Sequence, residues 1–381
     1  MRQISYRWPH LWPALRPPES PMIERWLELV GLEHNPFGPE RAELEPLLPD
    51  YGIYPAVLEP ENGSLRGTRP AILFGQEGMG RTATALLLAH DCTSPPPNPR
   101  EKKVFPVYSN LSLDDASRMT RSTYLDFVAG AVGEALINFF ALNPYTFLEH
   151  TSSHKHAIVC LLVQVTDSPE ALRTRLKQAG LSGDGAGQRL LAEVTEIGNE
   201  LTSGIKFSEA ARLELLQCAR PAGFLHLYVL VDAVAALIEK ERMPDVARHL
   251  QPLLSLVIPL AGVGVYLKLF LPEMLKLYLS IPSDVVTDTL YWGQDELKDL
   301  LGTRLSTAGC SSLIQLFDAR SGATSGLADS LVNAAKGSPR RLIQLGNQLI
   351  EEHVVRNPGV AKINREILGV VLGQSVTGGK T

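Results

Sequence analysis

The chain has 381 residues, 45% apolar and 20% charged, and its 36 Lys and Arg against 41 Asp and Glu leave a formal net charge of −5. That make-up is ordinary for a globular chain, long enough for one large domain with a full core and a smaller second one. The mild acidity removes any global pull toward nucleic acid, so DNA is not the favoured partner, although a local basic patch would still hold phosphates.

Cys92, Cys160, Cys218 and Cys310 lie far apart with no CxxC pair, which fits a reducing compartment and implies neither a zinc site nor a disulfide framework. Trp8, Pro9, His10 and Pro13 break any apolar run near the N-terminus, so no signal peptide is expected. The longest greasy stretch, residues 253–267, contains Pro259 and two glycines and is shorter than the ~20 residues needed to span a bilayer. A cytoplasmic protein with no membrane partner is expected.

In chain order, residues 1–22 read as an arm rich in Pro, Trp and Arg, either flexible or docked as a strap. Ile23, Trp26, Leu27, Leu29 and Val30 give the next segment a helical apolar face. Asn35-Pro36-Phe37 opens a loop toward a second helical piece at 41–48. Residues 69–74 read as a buried strand running into a glycine loop, and 82–90 as the helix after it. Ser94 to Pro99 is a rigid, exposed connection. Residues 104–108 are a second strand, 124–142 a helix, and 150–223 a mostly helical stretch broken by a glycine loop at 180–187. Strands follow at 225–231, ending at Asp232, at 263–271 and at 285–291, with a helix at 246–257. After Trp292 only helices are expected, at 295–305, 313–317, 327–335 and 339–355.

Strands alternating with helices predict an α/β fold: a parallel sheet flanked by helices, followed by an all-helical C-terminal lid. The expected division is an arm at 1–22, a core at 23–292 with a helical insertion at about 143–223, a lid at 293–360 and a tail at 361–381. Gly378-Gly379-Lys380-Thr381 looks like the end of a phosphate loop, but no helix follows it, and it reads as tail.

The chemistry concentrates in Gly75-Gln76-Glu77-Gly78-Met79-Gly80-Arg81-Thr82, a strand–loop–helix junction of the form GxxxxG-[basic]-T. Such a loop curls its backbone N–H groups around phosphate oxygens, and the helix start, including Ala83, adds a favourable dipole. The threonine hydroxyl serves Mg²⁺ and the basic residue reaches the outer phosphates. Arg81 stands where a compact lysine is usual, and its planar fork would disturb placement of the last phosphate. A strand–helix turn without a ligand is the bland alternative. Asp232, after the apolar run Leu227 to Val231, fits a Mg²⁺ carboxylate as well as a helix cap. The residues after it, Ala233-Val234-Ala235-Ala236, offer no base for an attacking water.

Lys336-Gly337-Ser338-Pro339-Arg340-Arg341 opens the last long helix with a cap, a proline and two arginines. Cations oppose the dipole there, so an anionic partner would explain them better than a solvated basic turn. His150, His154 and His156 read as a solvated polar turn more than a metal site. Gly183 to Gly187 has no strand before it and reads as a flexible loop. Arg173, Arg175 and Lys177 read as a solvated helix face.

From Asn35-Pro36-Phe37 through the loop and Asp232 to Leu269-Phe270-Leu271-Pro272, Trp292, Leu297, Arg304-Leu305 and Gly337-Ser338-Pro339-Arg340, the chain resembles bacterial P-loop ATPases of the AAA+/STAND kind over roughly residues 30–355. The resemblance implies ATP or ADP with Mg²⁺ as cofactors, Thr82 and Asp232 at the metal, and Arg340 as the lid sensor of the terminal phosphate. It puts Lys268 at the other sensor position, Asn35 and Phe37 near the adenine, and Ala235 and Ala236 where two acids usually stand. Arg304 would either reach a neighbouring subunit's phosphate or lie on a helix surface. A nucleotide-regulated switch or assembly protein with weak or absent hydrolysis is the first expectation, homo-oligomeric, with a protein effector and a role in bacterial defence or signalling. An active ATPase remodelling DNA or protein is the second, and a nucleotide-free scaffold the third.

Overall fold

The computed structural model describes residues 16–51, 53–59, 63–93, 104–113, 118–201, 207–234, 242–318 and 326–377. Most of the N-terminal arm, the proline connection at 94–99, Ala235, Ala236 and the final Gly-Gly-Lys-Thr lie outside them. The chain divides into two compact units, one from Asn62–Phe74 and Leu88–Asp288, the other from Arg7–Glu61, Gly75–Leu87 and Thr289–Thr381.

The first unit carries a five-stranded parallel sheet in the order β2-β3-β4-β1-β5. Its strands are β1 (Ala71–Gly75), β2 (Val104–Ser112), β3 (His226–Val234), β4 (Val265–Pro272) and β5 (Val286–Thr289). All five residues of β1 are buried, and Leu227 through Val231 are buried in β3. A strand covered on both faces needs an unbroken apolar run, which is what these segments supply. β3 continues past Asp232 to Val234, because Ala233 and Val234 pair with Leu111 and Ser112 of β2. Asp232 is therefore inside the strand and not its last residue.

Helices of this unit are α3 (Arg121–Leu142), α4 (Tyr145–Leu148), α5 (Ser152–Thr166), α6 (Pro169–Gln178), α7 (Gly185–Glu200), α8 (Glu209–Cys218), α9 (Met243–Leu254) and α10 (Val257–Gly262). Thr120 and Thr123 cap α3 reciprocally. This helix is long and apolar enough to cross a membrane by length and composition, yet 56% of its apolar window is buried within the protein. It packs on β2, α5, α6 and α8, and a Cβ at Gly133 would stand 2.8 Å from Val165, so α5 approaches closely there. Phe139 of α3 meets Phe105 and Phe224 edge to face at 5.2 and 5.8 Å.

Two expected loops are helical in part: the glycine loop holds through Asp184 and gives way to a helix at Gly185, and His150 stays outside the helix that takes in His154 and His156. Asp184 caps α7 by accepting from the Ala186 and Gly187 N–H groups at 3.1 and 2.9 Å, which converts the glycine-rich stretch into a helix start. His154 and His156 lie in the first turns of α5 and not in a polar turn.

The second unit contains α1 (Pro21–Val30), the start of α2 (Arg81–Thr93), α11 (Gln294–Thr307), α12 (Leu327–Ala335), α13 (Pro339–Arg356) and α14 (Arg365–Thr377). Ser20 caps α1, Pro21 opens it and Gly31 ends it at φ 76°. Trp26 of α1 donates to the Ala361 carbonyl at 3.2 Å and meets His353 of α13 edge-on. The stretch read as a tail holds α14, whose Ile367, Leu368 and Val371 are buried and which packs on α13. The piece at 41–48 is two 3-10 turns, Ala42–Leu44 and Leu48–Tyr51.

Candidate phosphate-binding site

The glycine loop belongs to the second unit. Gly78 and Gly80 adopt φ of 79° and 88°, a region that L side chains occupy only with strain. A Cβ at Gly78 would also come within 2.8 Å of Ser338 Oγ, so glycine is required there twice over. The loop closes through Met79 N–H to the Gln76 carbonyl at 3.3 Å, and α2 begins with Thr84 N–H to the Gly80 carbonyl at 2.8 Å. The N–H groups of Arg81, Thr82 and Ala83 thus lie in the first helical turn, at the positive end of the helix dipole. That turn and its dipole form an anion cradle.

The carbonyls of the loop are gripped from the C-terminal helices. Ser338 accepts from Arg341 N–H at 3.2 Å as the cap of α13, and its hydroxyl donates to the Gly78 carbonyl at 3.2 Å. The Arg340 N–H donates to the same carbonyl at 3.1 Å, and Trp292 Nε1 donates to the Met79 carbonyl at 2.8 Å. The Arg340 guanidinium pairs with Glu77 at 3.1 Å.

A cleft opens over this arrangement. Gln76, Glu77, Gly78, Gly80, Arg81, Thr82, Ala83 and Thr84 form one wall, and Trp292, Leu300, Arg304, Pro339, Arg340 and Ile343 another. The rest comes from a segment before β1 that includes Glu45, Leu48, Tyr51, Ile53 and Pro55. These last residues were not singled out from sequence. Their only signal is an aperiodic aromatic and aliphatic run between turn residues.

Gly75 and Met79 stand behind the wall. A Cβ at Gly75 would lie 3.0 Å from Arg81 Cγ, so the Arg81 stem folds back over it. Asn35 and Phe37, expected near a base, are buried and brace α13. Asn35 donates to the Asn347 side chain at 2.8 Å and accepts from Phe37 N–H at 2.9 Å. Phe37 fills the space a Cβ at Gly346 would need, 2.1 Å from its ring.

Arg304 is neither a surface arginine nor available to a neighbouring subunit. It is 3% exposed and donates to the carbonyls of Pro36 and Gly38 at 2.6 and 3.0 Å and to Glu45 at 3.2 Å. Its guanidinium also lies 4.6 Å from the centre of the Tyr51 ring. Arg16 grips the same Glu45 at 2.6 and 3.0 Å, and the Tyr51 hydroxyl donates to it at 2.6 Å. Periodicity marks Arg304 as helical but carries no information on a carboxylate 259 residues away. Burial, with Arg16 and Arg304 nearby, pushes the His34 imidazole down to about 4.

Asp232 belongs to the first unit, 2% exposed, opposite Asn110 of β2 and Phe270 of β4. The Tyr108 hydroxyl reaches its carboxylate at 3.4 Å. Lys268 is fully buried in β4. Its ammonium donates to the Gly67 and Arg69 carbonyls at 3.2 and 2.6 Å and lies 4.6 Å from the Tyr228 ring centre. Those carbonyls precede β1, whereas the glycine loop follows it, so Lys268 spends its donors on structure. Burial lowers its amine to about 7.

The parallel sheet with flanking helices, the glycine loop that opens a helix directly after β1, and the helical C-terminal region define an α/β fold of the P-loop NTPase type. No protein-family model matches the chain, and no curated protein sequence matches it. Among solved structures, Cdc6p from Pyrobaculum aerophilum matches over 95% of this chain and 69% of that one, at 12% identity and a TM-score of 0.37.

Proposed function

We propose that the protein binds ATP or ADP with Mg²⁺ and acts as a regulatory or assembly protein of the AAA+/STAND kind with weak or absent hydrolysis. One observation carries the reading: the cleft is walled jointly by the glycine loop, the first turn of α2 and Arg340 of the C-terminal helices. A loop of that form binds phosphate through backbone N–H groups and a helix dipole, so its opening into a cleft shared with Arg340 favours a nucleotide over a ligand-free turn. The Thr82 hydroxyl and the Asp232 carboxylate are oxygen donors of the kind Mg²⁺ takes. Weak turnover is supported by Arg81 in the lysine position and by the absence of an acid in Ala233 to Ala236. A homo-oligomer in the cytoplasm, with a protein effector and a role in bacterial defence or signalling, completes the proposal.

Thermal unfolding with and without Mg-ADP or Mg-ATP tests it, because a ligand that binds only the folded state stabilises by about 2.7 kcal/mol at a hundredfold excess over Kd. A rise in Tm of several degrees, or nucleotide released on denaturing the purified protein, is expected. No shift with either nucleotide and none co-purifying sinks the reading. Turnover that vanishes in Asp232→Ala would overturn the weak-hydrolysis part alone.

A further inference from the structure

Arg340 is placed where a purely structural helix would not place a cation, in the first turn of α13, against the dipole. Its guanidinium meets the carboxylate of Glu77, a residue of the glycine loop itself, at 3.1 Å. The pairing is not a chance meeting of two mobile side chains. The Gly78 carbonyl, one residue along, accepts from both Arg340 N–H and Ser338 Oγ, so the two backbones are registered with Glu77 opposite Arg340. Both residues line the cleft, along with Glu40, Glu43, Glu45, Arg81 and Arg304. The cleft walls therefore carry four carboxylates against three guanidiniums, and Glu45 is already engaged by Arg16 and Arg304.

We propose that Glu77 sets the specificity of this cleft by occupying Arg340 in place of a terminal phosphate, so that the site takes a nucleoside diphosphate in preference to a triphosphate. The proposal rests on the nucleotide reading above and deepens it. Arg340 meets Glu77 through Nη1, and a second anion on the same guanidinium competes with that carboxylate. With a diphosphate, the Glu77 carboxylate stays on Arg340 and the pair remains whole. A triphosphate brings a further anionic group that must take Arg340 for itself, and the displaced carboxylate stays tethered to the same loop, where it repels the incoming charge. Glu77 is 82% exposed, so it leaves without a burial cost. The discrimination arises from the lost pair and the added like charge, each modest at an exposed site.

The test is calorimetric titration of the full chain with Mg-ADP and with a Mg-bound non-hydrolysable ATP analogue, using wild type, Glu77→Gln, Arg340→Ala and the double variant. Wild type is expected to favour the diphosphate by about tenfold, equivalent to about 1.4 kcal/mol. Glu77→Gln is expected to tighten the triphosphate analogue by a similar factor and to leave the diphosphate within about twofold. In the Arg340→Ala background the same Glu77→Gln change should keep only the part that comes from like-charge repulsion, a smaller gain for the triphosphate analogue than in wild type. An unchanged ratio in Glu77→Gln, or a wild type that prefers the triphosphate, overturns the role of Glu77. A Glu77→Gln effect that is undiminished without Arg340 overturns the route through that arginine. If neither ligand binds wild type or Glu77→Gln, the nucleotide reading fails first and takes the proposal with it. Glu77→Gln is isosteric at an exposed position, so its unfolding temperature without ligand should match wild type, and Arg340→Lys, which keeps the charge but not the fork, serves as the second variant.

Discussion

The sheet-bearing unit is held by apolar side chains in regular alternation of strand and helix: β1 and β3 are buried, and α3 sets Phe139 against Phe105 and Phe224. The loop-bearing unit gathers polar contacts of long sequence separation around one cleft. Arg304 crosses 259 residues to Glu45, Trp292 crosses 213 to the Met79 carbonyl, and Arg340 crosses 263 to Glu77. Apolar burial is non-directional and tolerates small shifts, whereas a buried ion pair holds one geometry or loses its compensation. The contrast places the rigid frame in one unit and the ligand-sensitive parts in the other.

The largest expected effect breaks the polar side of this contrast. Glu45→Ala leaves Arg304 and Arg16 facing each other without their shared carboxylate, and should cost about 3–5 kcal/mol, read as a drop in Tm on heating. A loss under about 1 kcal/mol, the range of an exposed pair, would show that the cluster is ornamental and the contrast overstated. Next in size is Gly78→Ala, which forces a side chain into φ 79° and against Ser338. It should cost about 1–3 kcal/mol and abolish any stabilisation by Mg-ADP. Retained nucleotide stabilisation in that variant would mean the loop does not depend on its packing against α13.

The smallest effect probes Lys268, a cation buried in the sheet-bearing unit. Because burial lowers the Lys268 amine to about 7, the unfolded chain holds a proton that the folded chain lacks between pH 7 and the ordinary lysine range. Stability contributed at this position is therefore present at high pH and lost as pH falls toward 7. Lys268→Met removes the dependence. The Tm of the variant relative to wild type should be most favourable near pH 7 and decline toward about pH 10, where wild-type lysine is released from the penalty. Parallel Tm–pH curves would show that the two carbonyls and the Tyr228 ring hold Lys268 charged.

Much of the frame was legible beforehand because its signals are local. The apolar runs of β1, β3 and β4, the glycine spacing of the loop, and the cap and proline of α13 each announce an element within a few residues, and α12 was bounded as observed. Two of the misreadings share a cause. The buried face of α14 and the 3-10 turns before the cleft depend on partners elsewhere in the chain, which no periodicity reports, whereas the Asp184 cap of α7 is local and was masked by the glycines around it. Asn35 and Phe37, placed near a base by resemblance alone, also pack on Asn347 and Gly346, more than 300 positions away.

The loop from Gly75 to Thr82 was determined by sequence alone, since glycine is the residue that reaches positive φ without strain and a strand–loop–helix order is written in consecutive residues. Which groups share its cleft was decided only by tertiary structure. Charge pairing acts over a few ångströms of space regardless of chain distance, so the meeting of Glu77 with Arg340, and of Glu45 with Arg304 and Arg16, exists only once the chain is folded.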